Sequence, residues 1–183
     1  MNMTLFGESG ARRAALGSHE SNSGGTDEWL TPPEIINALG PFDVDPCSPV
    51  EARRPWPTAA KHYTLEDDGL RQVWEGTVWC NPPYANVGPF MRKLADHGDG
   101  IALLFARTET KVWHDFIWPN ADSILFLKGR LSFYTASGRR GTSNAGAPSA
   151  LIGYGNLASD RLRKVSRAGV IPGRYIDLKG PDQ

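Results

Sequence analysis

The stretch Thr77-Val78-Trp79-Cys80-Asn81-Pro82-Pro83-Tyr84 sets residue types that can do chemistry at a fixed spacing. Its first half is apolar and β-prone, which predicts a strand entering a core. The two prolines fix φ and remove two N–H donors, so the strand cannot continue in a ladder. Asn81, preceding a proline, is pushed to an extended conformation. The predicted result is a stiff corner at a strand's C-terminal end, the edge at which open α/β sheets bind ligands. The corner presents two acceptors, the Asn81 side-chain oxygen and the Pro82 carbonyl, beside the aromatic face of Tyr84. Two acceptors can hold both hydrogens of a planar amino group, and an aromatic face can stack on the ring that carries it. The bland alternative is a Pro-Pro turn after an edge strand. All four residues together behind an apolar strand favour the functional reading.

The flanking chain must position that corner. Thr31-x-x-Glu34 predicts a capping box with Pro32 at the first helical position. Ile35, Ile36 and Leu39 form the buried face and Gly40-Pro41 the stop. The helix start lies beside Trp29 and Thr31 and favours an anionic group, although capping alone would explain Thr31. Phe42-Asp43-Val44-Asp45-Pro46-Cys47 reads as a short strand that delivers Asp45 to the ligand edge. A carboxylate there accepts from an ammonium or a ribose hydroxyl, or simply makes a turn before proline. Residues 48–63 carry no assignable pattern. Glu66-Asp67-Asp68-Gly69-Leu70 is an acidic turn, with at least two of its acids solvated and one a candidate cofactor contact.

After the corner, Ala85-Asn86-Val87-Gly88 reads as a flexible loop and 89–97 as a helix. Residues 101–105 form a fully buried strand with Arg107-Thr108 at its exit. Residues 112–117 have helical spacing, 123–127 form a strand, and Lys128-Gly129-Arg130 is a basic turn. Residues 135–148 are small or polar, carry Arg139-Arg140, and predict a long exposed loop. Residues 149–154 resume as a strand, and Arg161, Arg163, Lys164 and Arg167 read as a solvated helix face.

Charge is unevenly placed. Residues 1–90 carry 6 Lys/Arg against 12 Asp/Glu, and residues 91–183 carry 14 against 8. An acidic half followed by a basic half points to separate tasks, the basic half facing a polyanion. Two cysteines and four scattered histidines make neither a disulfide framework nor a metal-ligand spacing. With no apolar run near membrane-spanning length and no signal-peptide pattern, a soluble intracellular protein is expected. Residues 1–26 are expected to be a flexible arm and 27–183 a single domain.

Asn-Pro-Pro-Tyr is the signature of enzymes that methylate an exocyclic or amide nitrogen. In order, Trp29-x-Thr31-Pro32, Asp45-Pro46-Cys47, Asn81-Pro82-Pro83-Tyr84, Arg107-Thr108 and Gly129-Arg130-Leu131-x-Phe133 resemble the phage-type DNA N6-adenine methyltransferase (Dam) family. The resemblance implies an α/β, Rossmann-like methyltransferase fold, a compact mixed sheet with flanking helices, and S-adenosylmethionine as donor. It implies cofactor contacts at Trp29, Thr31, Asp45, Cys47, Asp68 and Asn81. Asn81, Pro82, Pro83 and Tyr84 would hold the target base, and Arg107, Lys128, Arg130, Arg139 and Arg140 would contact DNA. No metal is implied, and the expected location is the cytoplasm, of a bacterial host if the gene is phage-borne. Two departures stand out. The Gly-x-Gly loop that many methyltransferases place after the first strand is absent from Asp45-Pro46-Cys47-Ser48-Pro49. Asp45 and Asn81 are also only 36 positions apart, short for two full βα units, which predicts a trimmed sheet. Cytosine N4, RNA or protein glutamine remain alternative substrates, and a catalytically dead nucleic-acid-binding module remains an alternative to an enzyme.

Overall fold

The computed structural model describes residues 30–141 and 145–180. The predicted arm, its boundary with the domain, and Trp29 lie outside the described residues. Among the described residues seven strands form one mixed sheet: β1 (Val44–Asp45), β2 (Lys61–His62), β3 (Val78–Cys80), β4 (Gly100–Phe105), β5 (Ser123–Leu127), β6 (Ser149–Tyr154) and β7 (Gly173–Asp177). Their spatial order is β2-β1-β3-β4-β6-β5-β7. β2, β1, β3 and β4 are parallel, and the pairs β4–β6, β6–β5 and β5–β7 are antiparallel. Three α-helices among the described residues flank the sheet: α1 (Pro33–Leu39), α2 (Val87–His97) and α3 (Asn156–Arg167).

Successive strand residues point to opposite faces, and here both faces are apolar. Val78, Cys80, Ala102, Leu104 and Ile152 pack with Phe90, Met91 and Leu94 of α2 and with Trp74, Trp113 and Ile117. Trp79, Ile101, Leu103, Leu125 and Leu151 pack with Ile35, Ile36 and Leu39 of α1 and with Ala158, Leu162 and Val165 of α3. Burial on both faces is why 101–105 reads as an unbroken apolar run rather than an alternating one.

Four sequence expectations change. The capping box is not formed: Pro32 is the N-cap of α1, Pro33 occupies its first turn, and no side chain caps it. Thr31 lies one residue too early to reach the helix N–H groups. Residues 85–88 are not a loose loop, because a 3₁₀ turn (Tyr84–Asn86) leads straight into α2. Pro89 is tolerated there because first-turn N–H groups have no helical partner. Residues 135–148 are partly paired: the Gly141 N–H bonds Phe133 O at 2.7 Å and the Thr135 N–H bonds Arg139 O at 2.9 Å, around Gly138 at φ +74°. β2 and β7 were not anticipated. Both are edge strands with exposed residues, so neither shows the apolar alternation that betrays a strand.

The sheet is not trimmed, since it has seven strands among the described residues; the short spacing removes helix instead. Between β1 and β3 the described chain holds only the 3₁₀ turn Glu51–Arg53 and two-residue β2. From β1 the chain steps outward to β2 and then crosses back to β3 on β1's other side. The strand order therefore reverses between β1 and β3, which opens a crevice at their carboxyl ends. Asp45 and Asn81 stand at that crevice. β5 is parallel to β4, so the exits of β3, β4 and β5 share one edge of the sheet.

Candidate active site

The corner is built as its prolines dictate. β3 ends at Cys80, Asn81 is half-buried, Pro82 is buried, and Pro83 starts the 3₁₀ turn that leads into α2. The Asn81 Nδ2 donates to Thr31 Oγ1 at 3.3 Å, and Thr31 is 3% exposed. Tyr84 is 54% exposed, yet its ring is not loose. It stacks on Phe105 with centroids 4.4 Å apart and planes 17° apart. Phe105 closes β4, and the Arg107 guanidinium lies 5.7 Å from its ring. Arg107, Phe105 and Tyr84 thus make a continuous stack beside the corner. Desolvation raises the Tyr84 phenol above its usual range, with Arg107 opposing. The phenol is neutral at physiological pH and is no proton acceptor.

Asp45, 4% exposed, anchors the other wall. Its Oδ1 accepts from the Cys47 N–H at 3.1 Å and its Oδ2 from the Thr58 hydroxyl. Burial pushes its pKa up to about 6, with the Thr58 and Cys47 hydrogen bonds opposing. Thr58 and Ala59 in turn donate their N–H groups to His62 Nε2 at 3.1 and 3.3 Å. That role needs a neutral imidazole, and desolvation, followed by the Arg54 charge, depresses the His62 pKa to about 4. Arg54 Nη1 reaches Ser48 Oγ and Pro49 O, each at 3.1 Å. Asp45, Thr58, His62 and Arg54 so hold residues 46–60 across the carboxyl end of β1.

Cys47 Sγ lies 4.0 Å from Cys80 Sγ, and the Asn81 backbone N–H bonds the Cys47 sulfur. Burial, then the neighbouring Cys80, pushes the Cys47 thiol well above its usual range, so it is protonated and not a nucleophile. The acidic turn rests on the same wall: a Cβ on Gly69 would sit 1.8 Å from Pro46 O. Within it Asp67 accepts from the Thr64 N–H and hydroxyl, both at 2.8 Å, bonds that lower its pKa. Asp68 is exposed at φ +51°.

The basic candidates lie along the same edge. Arg107, Lys128, Arg130, Arg139 and Arg140 are all exposed. A groove of about 230 Å³ is lined by Pro32, Ile35, Lys128, Arg130, Ser132 and Arg140 among others. Arg130 Nη1 is tied to Ala145 O at 3.1 Å. Pro32 follows Thr31 directly, so the groove begins one residue from the contact to Asn81. Arg139 and Arg140 sit on the paired 133–141 segment, where Trp56 meets Tyr134 edge-on at 5.2 Å.

The structure thus brings Thr31, Asp45, Cys47 and Asn81 to one crevice, with Tyr84 on its rim. It leaves Asp68 on an exposed turn behind Pro46, and Trp29 lies outside the described residues. Sequence reasoning missed Phe105 as the support of Tyr84; an aromatic at the last position of a strand on the ligand edge was the available signal. It also missed Thr58 and His62, for which no signal existed in a segment without periodicity. Among the described residues no group of His, Cys, Asp or Glu is arranged to hold a metal, and no helix is long and apolar enough to cross a membrane.

A family model, DNA N-6-adenine-methyltransferase (Dam), matches residues 18–168. No curated protein and no solved structure matches the chain. The chain belongs to the Dam family of DNA N6-adenine methyltransferases.

Proposed function

We propose that the protein transfers a methyl group from S-adenosylmethionine to N6 of an adenine flipped out of DNA, on a Rossmann-like methyltransferase sheet with a short connection between β1 and β3. The observation that carries this reading is the convergence at one sheet edge. The order reversal between β1 and β3 places Asp45 and Cys47 beside Asn81, and Tyr84 is held flat on Phe105 next to them. The donor's net positive charge fits the crevice. Asp45 is a buried carboxylate whose oxygens accept from the neutral Thr58 hydroxyl and Cys47 N–H, with the Arg54 charge the smallest contribution, so a cation beside it would favour the ionised form. Asp45, Cys47 and the backbone of Asn81, which meets the Cys47 sulfur, would hold the donor, with Trp29 and Asp68 at the periphery. The donor, when bound, supplies the methyl group and a sulfide leaving group.

This chain's residues do the rest. An adenine inside a duplex hides its amino group, so the base is flipped at a cost of a few kcal/mol. Stacking on Tyr84, worth ~1–3 kcal/mol, offsets part of that cost. The Asn81 amide oxygen and the Pro82 carbonyl accept the two N6 hydrogens. This favours a pyramidal nitrogen whose lone pair is less delocalised into the ring. N6, so held, would take the methyl group that the bound donor supplies, the bonding electrons leaving with the donor's sulfide, and would lose one proton to water near the Pro82 carbonyl. Asn81 is no general base, because an amide has no suitable pKa. With the Cys47 thiol protonated and the Tyr84 phenol neutral, catalysis rests on positioning and electrostatics. Arg107, Lys128, Arg130, Arg139 and Arg140 contact phosphates. The reaction would take place in the cytoplasm, that of a bacterial host if the gene is phage-borne.

Digestion of treated DNA to nucleosides, after incubation with isotopically labelled donor, tests the reading. N6-methyladenine carrying the label is expected. Methylcytosine alone would overturn the adenine assignment, and unmodified DNA with donor still bound would move the substrate to RNA or protein.

Two further results follow from the geometry. Asp45→Ala weakens donor binding about tenfold or more, ~1.4 kcal/mol, in a protein that still melts cooperatively. Because the Asp45 pKa is about 6, the carboxylate is ionised above that pH and protonated below it. Donor affinity therefore falls as pH drops through 6, and Asp45→Asn flattens that dependence. Calorimetry across pH 5–8 checks both, and a wild-type affinity that ignores pH places the donor away from Asp45. Replacing Arg139 and Arg140 together weakens DNA binding and reduces the slope of log affinity against log salt by up to about two counterions. An unchanged slope puts the DNA on another face.

A further inference from the structure

The four cations of α3 read from sequence as one solvated helix face, and the fold divides them. Arg161 Nη1 donates to Pro41 O at 2.8 Å, and its guanidinium lies 5.5 Å from the Phe42 ring. Arg163 is paired with Asp160 at 2.8 Å and lies 5.9 Å from the Tyr175 ring. Lys164 and Arg167 are exposed, and among the described residues neither has a carboxylate partner. Asp160, Arg163, Lys164 and Arg167 follow the i, i+3, i+4, i+7 spacing of a single helix face, turned away from the buried Ala158, Leu162 and Val165. With Ala168 they line a shallow depression of about 500 Å³.

Where the helix ends decides what that face can meet. β5 leaves the sheet at the edge that carries the corner, and β7 runs antiparallel to β5 with Gly173 opposite Leu127. The chain must therefore bring the end of α3 to that same edge before β7 begins. It does so through a turn folded back on the helix: the N–H groups of Val170 and Ile171 donate to Val165 O at 3.0 and 3.3 Å. The Lys128 N–H then bonds Pro172 O at 2.8 Å, which ties this turn to the basic turn at the exit of β5. Ala168 lines the depression, and Val170, Ile171 and Pro172 line the groove that holds Lys128, Arg130 and Arg140. Depression and groove are neighbours across one turn, at one edge of the sheet.

We infer that the last turn of α3 is a second phosphate-binding surface, on which Lys164 and Arg167 hold the DNA backbone to one side of the target adenine. The inference rests on the reading of DNA as the substrate. Duplex DNA carries a charge about every 1.7 Å of its axis, so a duplex seated on the groove continues past it and meets the next concave surface. Lys164 and Arg167 are separated by roughly 4.5 Å along the helix axis, and their long side chains reach phosphates of one strand. Cations in a last turn also complement the helix dipole. That role shows in stability and not in DNA binding, so measurement separates the two.

Binding of labelled linear duplex DNA, followed by fluorescence anisotropy across a salt series, tests the inference beside donor affinity and melting temperature. Lys164→Ala with Arg167→Ala reduces the slope of log affinity against log salt by about two counterions and weakens binding roughly tenfold or more. Donor affinity stays within about twofold. The charge-keeping exchange Lys164→Arg with Arg167→Lys retains the slope, which guards against a folding defect in the alanine pair. Arg71→Ala with Arg92→Ala is the net-charge control. It removes the same charge on the α2 side of the sheet, where Arg92 lies over Phe116 and Lys93 bonds Leu70 O, and leaves the slope unchanged. An unchanged slope for the alanine pair overturns the inference, and so does an equal drop in the control. A lowered melting temperature with DNA binding intact assigns both cations to the helix dipole and overturns it too. If Arg139→Ala with Arg140→Ala flattens the slope and the α3 pair does not, the DNA reading stands and the inference alone fails. A wild type that binds no DNA removes the reading of the substrate, and the inference with it.

Discussion

Asn81→Ala is expected to lower single-turnover methylation by about 10²–10³-fold, the loss typical of removing one preorganised electrostatic partner from an active site. Donor affinity should change little, because the amide oxygen acts on the substrate amine. The change is local: Asn81 is half-buried, and the stiffness of the corner comes from Pro82 and Pro83. The melting temperature should therefore move by only a few degrees. Rapid-quench measurement at saturating donor and DNA separates the chemical step from binding. A rate within about threefold of the wild type would show that the Pro82 carbonyl suffices, and would leave the amide without a catalytic role.

The second large effect belongs to the aromatic stack. Tyr84→Ala removes the stacking face and should reduce methylation of a paired target by roughly 10- to 100-fold, in line with stacking worth ~1–3 kcal/mol per base. The loss should be smaller when the target adenine is mismatched or opposite an abasic site. There the base is already unstacked, and less flipping cost remains to be offset. Tyr84→Phe should keep most of the activity, because the ring and not the hydroxyl makes the contact. Phe105→Ala should resemble a weaker Tyr84→Ala, since Phe105 holds the tyrosine ring at 4.4 Å without itself replacing it. Equal losses on matched and mismatched targets for Tyr84→Ala would assign the ring to protein packing rather than to base extrusion.

What the sequence by itself determined is what covalent constraint and short-range pattern determine. Pro82 and Pro83 fix the corner through their own rings, whatever surrounds them. The apolar run in Gly100–Phe105 declares a strand buried on both faces, and the 36 positions between Asp45 and Asn81 leave no room for two full βα units. Hence the corner, the central parallel strands and the short β1–β3 connection were all legible. The partners of the functional groups were not. Thr31 has a capping-box spacing, yet Pro32 takes the cap and the Thr31 hydroxyl turns to Asn81. Asp45 reads as an acceptor open to a ligand, yet both its oxygens are engaged by residues 47 and 58. Phe105 reads as one more core residue, yet it supports Tyr84. β7 has no apolar alternation and exists because β5 offers it an edge. Each of these depends on which distant segment arrives opposite. That is decided by the closing of the sheet and the order reversal between β1 and β3, because hydrogen-bond pairing across tens of residues leaves no mark on local spacing.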